Sequence, residues 1–419
     1  MLNLIYSILL QTGVLNLDLK PTPLSAQHQP FSIEAAEVMK RLPKQFFAGL
    51  VQNVGREVAA GHDVINLGQG NPDRPTPPHI VRALQEAAAN PLYHKYSPFT
   101  GHRFLKEAVA ERYREDYGVV LDPDKEVAIL FGGKTGLVQI SQILLNPGDL
   151  CLVPDPGYPD YWSGVALAGA EMSFMPLRED NDYLPDYSQI SLQDRERAKL
   201  MFLNYPNNPT GASATASFYA DTVEFAAKHG IVVASDFAYG AIGFDGKTPI
   251  SFLQTPGAKE VGVEYYTLSK TYNMAGWRVG FALGNERIIS LINLLQDHIY
   301  VSLFGGIQEA AKVALTASQQ NVKDLAALYE SRRNSFFDAL AEIGWEARKP
   351  SGSFFAWLPV PKGMDSVSFS NLLLRESKVA VAPGVGFGRY GEGYVRVGLL
   401  SDENRLREAV QRIGKLGLF

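Results

Sequence analysis

The sequence has almost none of the residues that build disulfide frameworks or metal centres. Its 419 residues include one cysteine, Cys151, so no disulfide can form within the chain. The seven histidines never fall in an HExxH or comparable spacing, which disfavours a metal site. Cys151 lies in an apolar run, so we expect it to be a packing residue rather than a nucleophile. Because disulfides are rare in reducing compartments, this composition favours the cytoplasm.

An excess of positive charge and a long apolar run are also missing. The chain has 39 Lys and Arg against 44 Asp and Glu, which disfavours nucleic-acid and membrane-surface partners. No apolar run reaches the ~18 to 20 residues of a membrane span. The apolar start of the chain has no Lys or Arg before it, so we do not interpret it as a signal peptide. Residues 1–30 are expected to be an extension outside the fold, and the remainder a small-molecule enzyme.

From about Phe31 onward, helical periodicity alternates with short apolar runs, a pattern that predicts an α/β fold with helices packed on a mostly parallel sheet. Six runs are predicted to be buried strands: 127–131, 150–154, 199–203, 231–234, 264–268 and 279–283. Each run ends in a polar loop. Ligands of open α/β sheets bind beyond the carboxyl ends of the strands, so the functional residues are expected in these loops.

The first of these loops is rich in glycine. It contains Gly132, Gly133, Lys134 and Thr135 and is followed by a helical segment. Free amides at the start of that helix could bind a phosphate, although a plain tight turn explains the same residues. It is not a nucleotide-binding P-loop, because Ala128 occupies the position where that motif requires a glycine.

Two further loops are stiffened by proline. Pro156 and Pro159 flank Tyr158, whose ring could stack on a flat cofactor or simply cap the core. Asn208 precedes Pro209 in a segment dense with turn residues, where its amide could be aimed at a ligand.

The last two loops place charged residues directly after apolar strands. Asp236 ends one strand, and its burial would be costly unless a cation faces it; a helix N-cap is the alternative interpretation. Tyr239 follows three residues later. Lys270 follows another strand, beside Ser269 and eight residues before Arg278. A lysine in this position is a candidate for a depressed pKa and Schiff-base chemistry.

Taken together, these loops resemble the class I and II aminotransferases of fold type I. The resemblance rests on Asn208-Pro209-x-Gly211, Asp236-x-x-Tyr239, Ser269-Lys270 with Arg278, and Arg396 near the C-terminus, in the family's order. It runs from roughly Leu42 to Phe419. It implies pyridoxal 5'-phosphate as cofactor, and amino acids and 2-oxo acids as substrates that exchange an amino group by a ping-pong mechanism.

The resemblance also implies roles for individual residues around the cofactor. Lys270 would bond to the cofactor and then move a proton between the substrate Cα and the cofactor C4′. Asp236 would face the pyridinium nitrogen, Tyr158 would stack on the ring, and Tyr239 and Asn208 would donate to the phenolate oxygen. The residues implied to hold the phosphate are Gly133, Lys134, Thr135, Ser269 and Arg278.

Further roles concern the substrate and a second subunit. By the same resemblance, Arg396 would take the substrate α-carboxylate, with Gly70 and Asn208 beside it. Tyr96 would reach the cofactor phosphate of the neighbouring subunit, which implies a homodimer. No metal is expected. The implied architecture is a large cofactor-binding domain with a mostly parallel sheet, 75–310, and a smaller α+β domain built from 31–74 and 311–419.

Longer segments suggest the substrate. Segments 42–47, 65–73, 131–134 and 351–359 resemble the bacterial methionine-salvage aminotransferases. That likeness implies amino transfer, typically from glutamine, to 4-methylthio-2-oxobutanoate to give methionine. The absence of Lys and Arg from 297–304 disfavours dicarboxylate substrates. An aromatic, aspartate or LL-diaminopimelate aminotransferase remains an alternative, as does a cofactor-dependent C–S lyase. Segment 42–47 would suit either a flap over the substrate or a core contact.

Overall fold

The computed structural model describes residues 32–43 and 46–419, so the predicted extension 1–30 lies outside the described residues. The strands are β1 Ile65–Asn66, β2 Val127–Leu130, β3 Leu150–Asp155, β4 Glu171–Pro176, β5 Ala198–Asn204, β6 Val232–Asp236, β7 Gly262–Thr267, β8 Gly280–Gly284, β9 Phe355–Pro359, β10 Val379–Ala380, β11 Ala382–Pro383 and β12 Tyr394–Gly398. The helices are α1 Glu37–Lys40, α2 Phe47–Ala59, α3 Pro78–Ala88, α4 Arg103–Tyr117, α5 Gly133–Leu144, α6 Asp160–Ala168, α7 Leu192–Arg197, α8 Ala216–His229, α9 Ala258–Val261, α10 Leu268–Thr271, α11 Glu286–Ile299, α12 Gly305–Thr316, α13 Gln320–Glu342, α14 Ser366–Leu372 and α15 Glu403–Gly414.

Seven strands form the main sheet, in the order β2-β8-β7-β6-β5-β3-β4. All pairs between β7 and β4 are parallel, and β8 alone runs antiparallel to both of its neighbours. Each of the six predicted strands coincides with a strand of this sheet. The edge strand β4 was not predicted, because most of its residues are half-buried and it lacks a continuous apolar run.

The main sheet is buried on both faces, which explains its continuous apolar strands. In β2, Val127 and Ile129 belong to one hydrophobic core, and Ala128 and Leu130 belong to another on the opposite face. Helices cover each face, so the predicted α/β architecture is confirmed. In register, Asn204 at the end of β5 is paired with Asp236 at the end of β6, which brings two polar residues together at the carboxyl edge.

A smaller antiparallel sheet, in the order β11-β12-β9, carries Arg396 in its central strand. Helices α13 and α15 pack on it through a core that includes Phe336, Leu358 and Leu406. Short strands β1 and β10 pair in parallel nearby. These elements come from the two segments predicted to form the smaller domain, and the domain boundaries themselves stay a prediction.

The remaining short segment, residues 32–40, contains α1, in which Lys40 Nζ lies 2.5 Å from Glu37. Throughout the part of the chain that the structure describes, every helix is too short or too polar to span a membrane.

Candidate active site

A cavity of about 540 Å³ opens at the carboxyl ends of β5, β6 and β7. This is the edge of the sheet where the sequence predicts the functional loops. All the predicted site residues line it except Thr135 and Tyr96. The predicted residues in its wall are Gly70, Gly133, Lys134, Tyr158, Asn208, Asp236, Tyr239, Ser269, Lys270, Arg278 and Arg396.

Thr135 and Tyr96 lie elsewhere. Thr135 is in the first turn of α5, but its hydroxyl donates to the carbonyl oxygen of Phe131 at 3.0 Å and so supports the preceding loop. Tyr96 is 91% exposed and faces a separate, open cavity that it shares with Phe304. A single chain therefore does not bring Tyr96 to the other site residues.

One end of the cavity is built to hold an anion. The turn before α5 brings Gly132, at φ +81°, against the guanidinium of Arg278, so that a Cβ on this glycine would lie 2.3 Å from Arg278 Nη2. The N–H groups of the first turn of α5 have no partner within the helix and carry the positive end of its dipole. Ser269 adds a hydroxyl to the same wall, and Lys134, paired with Asp160 at 2.9 Å, lies at its edge.

Asp236 supplies a buried carboxylate. It is 6% exposed, and it accepts hydrogen bonds from the Tyr161 hydroxyl at 2.7 Å and the Ala238 N–H at 3.2 Å. Burial raises the pKa of Asp236 to about 6, while the bond from Tyr161 acts in the opposite direction. A cationic group in the cavity would stabilise the charged form of this carboxylate.

Lys270 is a lysine with reduced basicity. It lies in the short helix α10, and its ammonium donates to the carbonyl oxygen of Gly70 at 3.0 Å. Burial, followed by repulsion from Arg396 and Arg278, lowers the pKa of Lys270 to about 8, while Asp236 opposes the shift. Far more of this amine is neutral near neutral pH than in an ordinary lysine, which suits a nucleophile or a base.

Arg396 carries a buried charge that no acid among the described residues neutralises. It is 8% exposed, with its guanidinium carbon 4.1 Å from the ring centroid of Phe355 and 4.7 Å from that of Phe387. Its hydrogen-bond acceptors are neutral: the side-chain oxygen of Asn208 at 2.9 Å and the carbonyl oxygen of Gly68 at 3.0 Å. Among the described residues no carboxylate pairs with it, and burial lowers the pKa of Arg396 to about 10. An anionic ligand would compensate this charge.

Asp236 and Arg396 are connected through an asparagine that was not predicted from the sequence. Asn204 donates from its side chain to the carbonyl oxygen of Asp236 at 2.7 Å and accepts from the N–H of Asn208 at 2.7 Å. Asn208 in turn accepts from Arg396, so its side-chain NH₂ remains available as a donor. The signal for Asn204 was its position: like Asp236, it is the last residue of a buried strand.

Tyr161 and Tyr265 were also missed. Tyr161 lies in the first turn of α6, three residues after Tyr158, and has no distinguishing sequence pattern. Tyr265 is on the same face of β7 as Thr267, and both line the cavity. The Tyr265 hydroxyl is buried and has no hydrogen-bond partner among the described residues.

The other end of the cavity is apolar. Helix α2 contributes Phe47, Leu50, Val51 and Val54, whose i, i+3, i+4, i+7 spacing places them on one face. Phe355 and Phe387 line the same cavity. Segment 42–47, predicted to be either a flap or a core contact, thus contributes Phe47 to the wall, while Lys44 and Gln45 lie outside the described residues.

These observations fit pyridoxal 5'-phosphate. The start of α5, with Ser269 and Arg278, offers the amides, hydroxyl and guanidinium that a phosphate dianion requires. Asp236 offers a carboxylate to a ring nitrogen, and Lys270 offers an amine of lowered pKa to an aldehyde. The unpartnered hydroxyl of Tyr265 provides one further donor in the same cavity.

Comparison with known proteins gives a consistent result. A family model described as aminotransferase class I and II matches residues 62–413. The chain is 64% identical over 386 residues to the L-glutamine–4-(methylsulfanyl)-2-oxobutanoate aminotransferase of Bacillus subtilis (strain 168), covering 92% of this chain and 97% of that protein. It is 42% identical over 384 residues to the LL-diaminopimelate aminotransferase of Moorella thermoacetica, covering 92% and 98% respectively. The substrate-bound BacF structure from Bacillus subtilis matches with a TM-score of 0.89 at 50% identity, covering 93% and 98%.

The contact between Gly132 and Arg278 can be tested by Gly132→Ala. The added Cβ would displace the guanidinium and remove a charge-assisted contact worth about 1.5–3 kcal/mol, so we expect roughly 10- to 100-fold weaker binding of pyridoxal 5'-phosphate. The measurement is a spectrophotometric titration of cofactor-free protein.

Gly118→Ala is the matched control for Gly132→Ala. Gly118 also has a positive φ, +68°, but nothing lies within 4 Å of a Cβ built there. This variant should lose some thermal stability and keep its cofactor affinity. Equal cofactor affinity in both variants would contradict the placement of the phosphate beside Gly132.

Proposed function

The chain belongs to the class I and II aminotransferases, which depend on pyridoxal 5'-phosphate, and from this membership we propose that it transfers the amino group of glutamine to 4-methylthio-2-oxobutanoate, producing methionine. Support comes from the 64% identity to the B. subtilis enzyme named for these two substrates. We also infer that it acts in the cytoplasm. Its single cysteine cannot form a disulfide within the chain, which suits a reducing compartment.

The observation that carries the choice of substrate is the apolar wall formed by α2. Phe47, Leu50, Val51 and Val54 present hydrocarbon to the substrate side chain, and every residue of α2 that lines the cavity is uncharged. The side chains of methionine and glutamine are both uncharged, and each has two methylene groups before its heteroatoms. One pocket of fixed length can therefore accept them in turn, as a ping-pong reaction requires.

Arg396 supports the orientation of both substrates. Its buried guanidinium would take the α-carboxylate as a bidentate pair, which restores a counter-charge inside the cavity. Phe355 and Phe387 hold the guanidinium on both sides and keep its plane fixed. The substrate Cα then faces Lys270, and the side chain extends toward α2.

Lys270 is proposed to hold and move the proton at the substrate Cα. When bound, pyridoxal 5'-phosphate supplies an electron-withdrawing ring that stabilises negative charge at this carbon. Asp236, kept in place by Tyr161 and the Ala238 N–H, would stabilise positive charge on the ring nitrogen. Gly133, Lys134, Ser269 and Arg278 would hold the phosphate, and Tyr158, Tyr239 and Asn208 would position the ring. Thr135 would act indirectly, by supporting the loop through its bond to Phe131.

The substrates of the LL-diaminopimelate and aspartate aminotransferases carry charged groups at the far end of the side chain. LL-diaminopimelate carries a second ammonium and a second carboxylate, and dicarboxylic amino acids carry a distal carboxylate. The apolar face of α2 offers these groups no partner among the described residues, so their desolvation would be uncompensated. We therefore expect these substrates to be used less efficiently than the thioether substrate.

The proposed function is tested by methionine formation. Cofactor-loaded protein is incubated with 4-methylthio-2-oxobutanoate and, separately, glutamine, asparagine, aspartate, glutamate or an aromatic amino acid. We expect methionine in the presence of the donor, with glutamine giving the highest kcat/KM. If no donor yields methionine although another amino acid changes the cofactor spectrum, the substrate assignment is wrong and the aminotransferase chemistry stands.

The role of Lys270 is tested by Lys270→Ala. Loss of the group that moves the proton should lower kcat by at least about 10³-fold, while the phosphate contacts continue to retain the cofactor. Lys199→Ala is a suitable control, since Lys199 pairs with Asp149 near the start of β5, far from the carboxyl edge, and should leave kcat unchanged. A near-normal rate for Lys270→Ala would exclude the assignment.

We further propose that the active form is a homodimer in which Tyr96 completes the neighbouring subunit's phosphate site. Support comes from the exposure of Tyr96, together with exposed apolar side chains at Leu92, Phe99 and Phe304. Apolar surface of this kind marks an association site.

Complementation between subunits tests the shared site. At limiting cofactor, Tyr96→Ala and Lys270→Ala should each be nearly inactive alone. After the two are mixed and their dimers re-formed, about a quarter of the wild-type activity should return, because about half of the dimers are mixed and each has one intact site. Failure of the mixture to recover activity would mean that Tyr96 does not act across the interface.

A further inference from the structure

A carboxylate outside the proposed chemistry ties the wall of the cavity to the main sheet. Asp155 is the last residue of β3 and is 1% exposed. Its two oxygens accept hydrogen bonds from the backbone N–H groups of Arg389, at 3.1 Å, and Tyr390, at 3.0 Å. Both donors belong to residues 384–391, the loop between β11 and β12, which we call the 384–391 loop.

Two further features show that this contact is closely fitted. The N–H of Gly157, two residues after Asp155, donates to the carbonyl oxygen of Phe387 at 2.8 Å. Gly388, at φ +133°, packs so tightly on the carboxylate that a Cβ there would lie 2.1 Å from Asp155 Oδ1. The end of β3 therefore holds three consecutive parts of the loop: the carbonyl of Phe387, the Cα of Gly388 and the amides that follow.

The 384–391 loop carries a side chain that the substrate site needs. Phe387 lines the cavity, and its ring centroid is 4.7 Å from the guanidinium carbon of Arg396. On another side the Phe387 ring lies 5.0 Å from the ring of Phe47, the first residue of α2. Phe387 thus contacts both the residue expected to bind the substrate carboxylate and the wall expected to contact the substrate side chain.

We propose that Asp155 is a positioning residue for substrate capture, which holds the 384–391 loop so that Phe387 keeps Arg396 and α2 in their binding arrangement. This inference rests on the proposed function, since it assumes that Arg396 and α2 bind the substrate. Asp155 does not line the cavity and has no part in the proton transfer at Lys270. Its influence should fall on substrate affinity and not on the chemical step.

The ionisation of Asp155 gives this role a signature. Burial raises its pKa to about 6, opposed by the N–H donors of Tyr390 and Arg389 and by the Arg389 guanidinium. The charged groups that face it are the side chains of Arg389 on the loop and Arg41 across a neighbouring cavity. The arginines stay charged throughout the acidic range. Protonation of Asp155 as the pH falls through about 6 would weaken both bonds to the loop.

The main test is Asp155→Asn. The amide can still accept one N–H, but its NH₂ group must face the other donor, so the loop loses half of its anchor. We expect KM for both the amino acid and the 2-oxo acid to rise about tenfold, with kcat within about twofold of wild type and cofactor affinity unchanged. The assay uses whichever substrate pair the wild-type protein turns over, so it stands even if methionine is not the product.

Asp122→Asn is the matched control. Asp122 is also a carboxylate that accepts two backbone N–H groups, from Asp124 at 2.9 Å and Lys125 at 3.3 Å, but it lies before β2, at the opposite end of the main sheet from the 384–391 loop. This substitution should lower the melting temperature without changing KM. A merely structural role for Asp155 would give the same result as the control, a loss of stability with KM unchanged, and would overturn the proposal.

The pH profile and a double mutant complete the test. KM of the wild type should rise as the pH falls through about 6, and Asp155→Asn should lose this dependence; an equal dependence in both proteins would contradict the proposal.

Phe387→Ala should raise KM by itself and abolish the further effect of Asp155→Asn, because both changes act through one contact. Additive effects would show that Asp155 acts by another route.

Gly388→Ala supplies a second route to the same displacement if Asp155→Asn fails to fold. Its Cβ would push the loop away from the Asp155 carboxylate, and KM should rise while cofactor affinity is retained. An unchanged KM in a folded Gly388→Ala protein would overturn the proposal.

Discussion

The guanidinium of Arg396 is buried between two aromatic rings, and within the described part of the chain no acid accompanies it. Removing a charge from water without a counter-charge is expensive, so the surrounding residues must hold it in place through other interactions. They do so with the side-chain oxygen of Asn208, the carbonyl oxygen of Gly68 and the faces of Phe355 and Phe387. The cavity is thereby ready for one particular ligand group, a carboxylate, before any ligand arrives.

The same constraint organises the rest of the cavity. Burial, followed by repulsion from Arg396 and Arg278, lowers the pKa of Lys270, while Asp236 acts in the opposite direction. Asn204 links the backbone of Asp236 to Asn208 and hence to Arg396. The charged groups of the cavity therefore influence one another although they lie on different elements. Asp236 is on β6, Lys270 on α10 and Arg396 on β12, and Arg278 is in the loop before β8.

Much of this arrangement can be predicted from the sequence. The buried strands of the main sheet are continuous apolar runs, and the loops after them contain charged or turn-forming residues, so the fold and the position of the cavity follow from local patterns. Lys270 and Asp236 stand out because a charge directly after an apolar strand conflicts with burial. Arg396 has no such signal, since an arginine within an alternating strand resembles a surface residue, and only the family resemblance identified it.

The residues that were not predicted act through tertiary contacts. Tyr161 donates to Asp236 from a neighbouring helix, and Asn204 depends on the register of β5 with β6. Asp155 precedes a proline-rich turn, and its partners are backbone amides more than 230 positions further along the chain. The edge strand β4 and the short strands β1, β10 and β11 are too brief or too exposed to leave a pattern. None of these contacts has a local sequence signature.

The most direct test of this account compares two ligands that differ only in charge. Cofactor-loaded protein is titrated with 4-(methylsulfanyl)butanoate and with its primary amide, and binding is followed through the cofactor spectrum. A charge-assisted pair with Arg396 should make the carboxylate bind roughly 10- to 100-fold more tightly than the amide, and Arg396→Met should remove the difference. Equal affinities for the two ligands in the wild-type protein would contradict the claim that Arg396 is reserved for the substrate carboxylate.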